Sequence, residues 1–297
     1  MDAANLRVFE AVARLGNMSR AAQELNTVQS NVTARVRALE HELGVPLFHR
    51  TNRGVALTEA GQRLLPYAAQ IGRLLADARR AVDDNGTPRG PLTIGSLEST
   101  AGIRLPRLLA AYAAAHPEVD LVLTPGDTSE LIDRTLNHEV DGAFVCGPVN
   151  HPDLDEEVIF REELVIVTAQ SAQPAQSLAD LLRQRHLKIV ILKLGCSYRQ
   201  RLEDVLARRG VVGLRRLEFG TIDGILGAVA AGVGITLLPR SLVAARVRAG
   251  EVAAHALPDN ESQVDTVFIR PRGAFVSSAL AAFLACVRIG RARVAAE

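Results

Sequence analysis

Cysteine is scarce in this 297-residue chain, and its three cysteines form no recognisable pattern. Cys146, Cys196 and Cys286 are odd in number and lack CxxC or Cys/His spacing, which argues against a disulfide framework and against a zinc site. No apolar run approaches the length of a membrane span, and no export signal precedes the first predicted helix. These absences predict a cytoplasmic protein with reduced thiols, no metal and no membrane partner.

An excess of one charge is also absent. The chain has 34 basic and 33 acidic residues, so its formal net charge is only +1. Any affinity for a polyanion must therefore come from local placement of charge rather than from global attraction. Lysine is almost missing, with only Lys188 and Lys193, and we attribute this bias to genomic base composition.

The usual signatures of catalysis are missing as well. The chain contains no GxSxG elbow, P-loop, HExxH or GxGxxG fingerprint, and its seven histidines are scattered. We therefore predict no catalytic residues and no cofactor, and an enzyme is the less favoured class.

The segment from Ser19 to Arg53 is the most informative part of the chain. Apolar residues recur there and just before it at helical spacing in three groups: Leu6, Phe9 and Ala13; Ala21, Ala22 and Leu25; Val32, Val36 and Leu39. We expect Ser19 to cap the second helix, and Asn26 to occupy the following turn with left-handed backbone. The third helix should begin around residues 27–29 and end near Leu43, where Gly44 can stop it. This layout predicts a helix-turn-helix.

The side of the third helix opposite its apolar stripe suits a major groove. Its polar residues are Gln29, Ser30, Asn31, Thr33, Arg35 and Arg37. Amides can read adenine edges and hydroxyls can reach bases or phosphates, although a polar face alone is more often a solvated surface. The turn Arg50–Gly54 favours DNA, because it places Arg50 and Arg53 in a wing that can enter a narrow minor groove. We therefore predict a winged helix-turn-helix that binds double-stranded DNA.

With these residues in view, the chain resembles the LysR-type transcriptional regulators. The resemblance rests on NMSRAA at 17–22, QSNVT at 29–33, RALE at 37–40, LGVPLFHR at 43–50 and LTEAG at 57–61. It implies base or phosphate contacts from Gln29, Ser30, Thr33 and Arg35, and a minor-groove contact from Arg53.

Two departures from the family pattern affect the third helix, called the reading helix because its polar side is expected to contact the bases. Val28 stands where the family usually has serine or threonine, which moves the expected helix cap to Thr27. Ala34 stands where arginine is common, and Arg35 lies about 100° further round the helix. The preferred operator should therefore differ in detail from that of other members.

A long helix is predicted from Thr58 to about Asp84, with Thr58 as its cap. Its apolar residues recur at alternating steps of four and three: Leu64, Ala68, Ile71, Leu75, Ala78 and Val82. The alternative is a helix that packs on its own domain, but we expect little nearby sequence to be available to cover it. We predict a homodimer, with a homotetramer left open, that presents two reading helices to a pseudo-palindromic operator.

A breaker-rich hinge at residues 83–91 precedes an alternation of strands and helices. We predict a DNA-binding domain at 1–58, a linker and dimerisation segment at 59–90, and an α/β effector-binding domain at 91–297. The alternation predicts parallel sheets with helices on both faces. The family resemblance implies two lobes like those of type 2 periplasmic binding proteins: lobe I at 91–161 and 267–297, and lobe II at 162–266. Crossovers near 160–163 and 265–267 would form their hinge.

Strand ends and helix starts should converge between such lobes, where open α/β sheets bind ligands. The candidate effector residues are Ser96, Glu98, Ser99, Thr100, Thr128, Ser129, Cys196, Ser197, Tyr198, Arg199, Gly220 and Thr221. Their hydroxyls and backbone N–H groups predict a small anionic effector such as a carboxylate, although each residue alone could simply cap its helix. Arg199 would pair either with the anion or with Glu203, one helical turn away.

Three functional hypotheses follow. The first is a transcriptional regulator in which effector binding closes the lobes and alters operator bending or contact with RNA polymerase. The second is a thiol-based redox sensor that uses Cys196, against which stands the usual role of free cysteine as a small core residue. The third, a solute-binding protein or an enzyme, is the weakest.

Overall fold

A computed structural model describes residues 1–51, 54–170, 187–192, 197–211 and 213–294. The chain forms two compact units, one of residues 1–85 with 137–139 and the other of residues 86–136 with 140–297. The division falls after Asn85, and the long helix belongs to the first unit.

The first unit is a helix-turn-helix followed by a hairpin and a long helix. Its elements are α1 (Ala3–Leu15), α2 (Met18–Glu24), α3 (Gln29–Leu43), β1 (Phe48–Thr51), β2 (Gly54–Leu57) and α4 (Glu59–Asp83). The apolar stripe of α3 is fully buried as predicted, with Val32, Val36 and Leu39 at most 1% exposed. Asn26 and Gly44 have φ of 51° and 70°, which confirms the predicted left-handed turn and helix end.

Two predicted helix caps are wrong. The cap of α2 is Asn17, whose Oδ1 accepts the backbone N–H of Ser19 at 2.8 Å, so the helix begins one residue before Ser19. Asparagine caps a helix as well as serine does, and the sequence alone does not rank the two. The cap position of α3 is Val28, which has no side-chain acceptor, while Thr27 Oγ1 instead accepts the side-chain amide of Asn31 at 2.8 Å.

The apolar seam of α4 is half covered within its own unit. Leu64, Ala68 and Ile71 pack on the core of the helix-turn-helix, because α1 lies along this half of α4. The expectation that little sequence is available to cover the seam is therefore wrong for these three residues. Leu75 and Val82 remain 45% and 86% exposed, so the uncovered part is the second half.

The second unit contains strands and helices in two lobes. Its elements up to the first crossing are β3 (Gly90–Ser96), α5 (Glu98–Ile103), α6 (Leu105–Ala115), β4 (Val119–Pro125), α7 (Thr128–Leu136), β5 (Gly142–Cys146) and β6 (Leu154–Ala169). The following elements are β7 (Lys188–Leu192), α8 (Ser197–Arg208), β8 (Arg215–Phe219), α9 (Ile222–Ala230), β9 (Thr236–Pro239), α10 (Arg240–Arg248), β10 (Val252–Ala256) and α11 (Asp259–Ser262). The chain then returns through β11 (Gln263–Pro271) and α12 (Ser278–Val294).

The sheets are mixed, so the expectation of purely parallel sheets is wrong. In lobe I the order is β4-β3-β5-β11-β6, with β3 parallel to β4 and β5, and β11 antiparallel to β5 and β6. In lobe II the second half of β6 lies antiparallel between β9 and β10, while β7 and β8 pair in parallel. The reason is that β6 leaves lobe I and β11 returns to it, so the two strands run in opposite directions where they cross.

The chain crosses between the lobes along β6 and again along β11. Glu163 still pairs with Gln263 on β11, whereas Leu164 pairs with Pro239 on β9, and the register of β11 shifts at Thr266. Strand β10 and helix α11 were not predicted, because their short segments have no clear periodicity. Helices α5 and α6 are separate, since Pro106 lacks the N–H that would continue α5 into α6.

Candidate DNA-binding and effector sites

The structure places the predicted reading residues on the outer surface of α3. Gln29, Ser30, Asn31 and Arg37 are exposed, and Thr33 and Arg35 are half-buried. Because the stripe on the other side of the helix fills the core, this face is held rigidly at the surface. The arrangement can present amide and hydroxyl groups to base edges.

Contacts at the start of α3 orient two of its amide side chains. Ser19 on α2 donates its hydroxyl to Gln29 Oε1 at 3.0 Å, and Asn31 donates to Thr27 Oγ1 at 2.8 Å. Ser19, which the sequence suggested as a cap, therefore positions the first reading residue. Nothing in the sequence spacing reveals this contact, because it joins residues on two different helices.

Arg35 is engaged within the first unit. Its Nη1 donates to Asn5 Oδ1 at 3.2 Å and lies 4.0 Å from Asp2 Oδ2, near the start of α1. A phosphate contact from Arg35 therefore requires it to exchange these partners, and exposed pairs of this kind are weak.

The predicted wing is present as the β1–β2 hairpin, in which Arg50 pairs with Val55 and Thr51 with Gly54. Glu40 on α3 anchors the strand, because its Oε1 accepts the backbone N–H groups of Leu47 at 2.8 Å and of Phe48 at 3.3 Å. Arg53 lies outside the described residues. The wing is thus joined directly to the reading helix.

A cavity of about 410 Å³ lies between the two lobes of the second unit. It is lined by Leu97, Glu98, Ser99, Pro125, Gly126, Asp127, Glu130, Cys146, Leu192, Ser197, Tyr198 and Gly220. A volume of this size suits a small-molecule ligand. The lining comes from strand ends and helix starts of both lobes, which is the location predicted from the fold.

Five of the predicted effector residues line this cavity: Glu98, Ser99, Ser197, Tyr198 and Gly220. Cys196 lies outside the described residues. The other candidates do not belong to the lining, so their role stays a prediction: Ser96, Thr100, Thr128, Ser129, Arg199 and Thr221.

Their own contacts explain why these residues are absent from the lining. Ser96 is fully buried and donates its hydroxyl to the carbonyl of Leu97 at 3.0 Å, and Thr100 is buried as well. Thr221 caps α9 by accepting the N–H of Gly224 at 3.1 Å, and Ser129 is exposed. The alternative that a candidate serves its own helix is therefore observed for Thr221.

Arg199 does not point at the cavity. Its guanidinium donates to Glu203 Oε1 at 3.4 Å and to Glu218 Oε1 at 3.0 Å. The alternative of pairing with Glu203 is thus the correct one, and a second carboxylate adds to it.

Besides Gly126, sequence reasoning missed two kinds of lining residue. The first is apolar: Leu97, Pro125, Cys146 and Leu192. In a sequence these side chains are indistinguishable from ordinary core residues at strand ends. The second is acidic: Asp127 and Glu130 flank the start of α7, where carboxylates usually serve as helix caps.

Hydrogen bonds join the lobes around the cavity. Thr128 Oγ1 lies 3.0 Å from Ser197 Oγ, and Ser99 Oγ lies 3.4 Å from the hydroxyl of Tyr198. Glu98 Oε1 also accepts the backbone N–H of Ile222 at 3.1 Å, across the lobes. These bonds link the two lobes through residues that line the cavity or are bonded to its lining.

Metal and thiol chemistry receive no support from the described residues. They contain no group of three His, Cys, Asp or Glu side chains that could hold a metal ion. Cys146 is buried, and burial raises the pKa of Cys286, which disfavours its reactive thiolate form. Within the same residues, the helices are all too short or too polar to cross a bilayer.

Comparison with known proteins matches both units to one family. Residues 3–62 match the bacterial regulatory helix-turn-helix protein, lysR family, and residues 85–290 match the LysR substrate binding domain. The HTH-type transcriptional regulator GltR of Bacillus subtilis is 42% identical over 283 residues, which is 95% of each chain.

Solved structures of full-length proteins share the fold. CbnR complexed with its target DNA is 25% identical, with a TM-score of 0.66 over 98% of this chain and 100% of that one. A full-length OxyR variant of Pseudomonas aeruginosa is 19% identical, with a TM-score of 0.72 over 98% of this chain and 94% of that one. Because both matches cover nearly the whole chain, the shared fold extends over both units.

Proposed function

The chain belongs to the LysR family of transcriptional regulators, and we propose that α3 and its wing read a pseudo-palindromic operator under the control of a small molecule held between the lobes. Members of this family are DNA-binding regulators with an effector-binding domain rather than enzymes. The observation that carries the residue-level proposal is the exposed polar face of α3 beside the hairpin.

In the proposed complex, α3 lies in the major groove. Gln29, already oriented by Ser19, pairs through its amide with an adenine edge, while Ser30 and Thr33 contact bases or phosphates. Asn31, Arg35 and Arg37 supply further polar contacts along the same face, and Arg50 and Arg53 bind backbone or minor groove from the wing. CbnR, whose fold this chain shares, was solved with its target DNA.

Replacing Gln29 with alanine should relax the preference for one base pair by about 1–3 kcal/mol, because a bidentate base contact is lost. Arg53→Ala should instead weaken binding to all sequences, since a backbone or minor-groove contact carries little base information. Fluorescence anisotropy with the operator and with single-base variants measures both effects. The matched control is Arg107→Ala, an exposed arginine of the second unit, which should leave affinity unchanged. Wild-type affinity and base preference in both test variants would remove these residues from the interface.

We also propose that the exposed half of the α4 seam forms a homodimer contact. Leu75, Ala78 and Val82 recur at coiled-coil spacing, and Leu75 and Val82 are exposed in the single chain. A second copy of α4 would cover them and place two reading helices on two half-sites. A tetramer would need a further surface, which we leave to measurement.

The double variant Leu75→Asp/Val82→Asp should raise the dissociation constant of the dimer by about 100-fold or more, because burial of each apolar side chain occurs twice in a symmetric contact. Ala76→Asp, which adds the same charge at an exposed position of the same helix away from the seam, is the control. Sedimentation of the full chain at micromolar concentration distinguishes dimer from monomer. A dimer equally stable in the charged variant would place the contact elsewhere.

For signalling, we propose that a ligand between the lobes favours the closed arrangement already bridged by Thr128 and Ser197. In a dimer this shift alters the spacing of the reading helices, and with it operator bending or contact with RNA polymerase. The redox alternative for Cys196 gains no supporting observation, because Cys196 is outside the described residues.

A further inference from the structure

The cavity between the lobes is acidic. Of the described residues that line it, Glu98, Asp127 and Glu130 carry carboxylates, and none carries a basic side chain. Lys193, which follows Leu192 in the chain, lies outside the described residues. The expectation of an anionic effector rests on helix starts whose backbone N–H groups are free to bind it. Whether those N–H groups already have partners therefore decides which charge the cavity favours in a ligand.

Two helix starts around the cavity are already occupied by carboxylates of the chain itself. Asp127 Oδ1 accepts the N–H of Glu130 at 3.0 Å in the first turn of α7. Glu98 Oε1 accepts the N–H of Ile222 at 3.1 Å, at the first residue of α9. A further anion would have to displace these carboxylates or lie against them.

The balance of charge favours a cation. A helix start is equivalent to about half a positive charge, so the four starts at the cavity, those of α5, α7, α8 and α9, together offset roughly two of the three carboxylates and leave a net negative charge. Arg134 is 3.8 Å from Glu130, but this pair is a partly exposed one within a single helix and contributes little. Arg199 is committed to Glu203 and Glu218.

The rest of the lining is apolar. Leu97, Pro125 and Leu192 supply aliphatic surface, and Tyr198 supplies an aromatic ring whose face can attract a cation. Glu130 lies over the floor formed by Gly126, where an added Cβ would be 3.4 Å from Glu130 Oε2. The space thus has carboxylates on the lobe I wall and apolar groups from both lobes.

From these contacts we infer that the effector is a small organic cation, an amine or a guanidine on an apolar body, whose charged group lies against Asp127 and Glu130. The inference rests on the proposed function, because it assigns the chemical class of the ligand held between the lobes. Glu98 contributes at the mouth of the cavity, where it also bridges the lobes.

The test compares ligands of the same skeleton and different charge on the full chain. Phenethylamine, 2-phenylethanol and phenylacetate, with agmatine and putrescine as further cations, are titrated by calorimetry and by thermal shift. We expect the amine to bind at least about tenfold more tightly than the acid or the alcohol, because only the amine gains charge-assisted hydrogen bonds. The preference should weaken as ionic strength rises.

Variants that remove charge and keep shape locate the binding. Asp127→Asn, which can still cap α7, and Glu130→Gln should each weaken amine binding by about tenfold, and the double variant should abolish the preference for cations. Asp133→Asn on the exposed side of the same helix is the control and should bind as the wild type does.

Tighter binding of phenylacetate, above all if Lys193→Ala abolishes it, would overturn the inference. Failure of every cation to bind at millimolar concentration would overturn it as well. Operator binding, measured on the same samples by anisotropy, separates this failure from that of the proposed function. Intact operator binding without cation binding rejects only the ligand class, whereas loss of operator preference in the wild type rejects the regulator itself.

Discussion

The variant Gly61→Ala is expected to lose about 1–3 kcal/mol of the stability of the first unit, or more, although alanine is the better helix former. Gly61 lies in the first turn of α4, where its N–H is bonded to the cap Thr58. An added Cβ would overlap the carbonyl oxygen of Leu47 and lie 2.8 Å from Leu57 Cδ2. Backbone cannot move aside as a flexible side chain can, so the helix must shift away from the wing.

Gly72 provides the matched control in the same helix. A Cβ there meets nothing within 4 Å, so Gly72→Ala should stabilise the unit by about 0.5–1 kcal/mol. Urea unfolding followed by circular dichroism measures both variants, and operator binding should fall only for Gly61→Ala. If both substitutions stabilise the protein, the close approach of α4 to Leu47 does not exist in solution.

The variant Arg104→Ala should cost about 3–5 kcal/mol in the second unit, because it leaves the carboxylate of Glu162 buried without a counter-charge. Arg104 Nε and Nη2 donate to the two oxygens of Glu162 at 2.7 and 2.9 Å, and the two side chains are 18% and 7% exposed. Ser241 of α10 also donates to Glu162, at 3.1 Å. Glu162 therefore joins a lobe I helix end to a lobe II helix at the crossing of β6.

The neighbouring pair of Arg240 and Glu163 is a control with the same bidentate geometry and a different burial. Its two bonds are both 2.7 Å, but its side chains are 44% and 40% exposed, so Arg240→Ala should cost only about 0.2–1 kcal/mol. The hydrogen bonds from Arg240 lower the pKa of Glu163. The contribution of this pair is therefore present above the ordinary glutamate pKa and is lost as the pH falls through the lowered one.

A double replacement keeps the Arg104 prediction testable even if the single variant fails to fold. Arg104→Met/Glu162→Leu removes both charges and should recover most of the lost stability, since apolar pairs of similar volume replace buried ion pairs at little cost. Thermal and urea unfolding of Arg104→Ala, Arg240→Ala and the double variant measure the loss of unfolding free energy in each. If Arg104→Ala and Arg240→Ala lose the same unfolding free energy, burial does not make the first ion pair more important for stability than the second.

Local chemistry made much of the first unit predictable. The stripe of Val32, Val36 and Leu39 defines which side of α3 is buried, and therefore which side carries Gln29 and Arg37. The wing and the long helix follow in the same way from a short hairpin and from the cap Thr58. The predicted cap at Ser19 was wrong because Asn17, an equally good cap, stands two residues earlier, and the one at Thr27 was wrong because α3 begins after Val28, which has no side-chain acceptor.

For the second unit, the alternation of strands and helices could be predicted from the sequence, but the residues that line its cavity could not. Periodicity located most strands and helices, and the family resemblance supplied the two lobes. Antiparallel pairing of β6 and β11 joins residues about a hundred positions apart, which no local pattern reports. The same holds for the lining of the cavity, where Ser96 and Arg199 were candidates with other partners and Asp127 and Glu130 were overlooked.

A polar helix face and the spacing of a hairpin are encoded within a few turns of chain, so the residues expected to meet DNA can be named before any coordinates exist. The charge of the cavity that holds a ligand cannot be deduced from local sequence in this way. It depends on which carboxylates take up helix starts and which guanidiniums are already paired, and those partners come from distant segments that only folding brings within hydrogen-bonding distance.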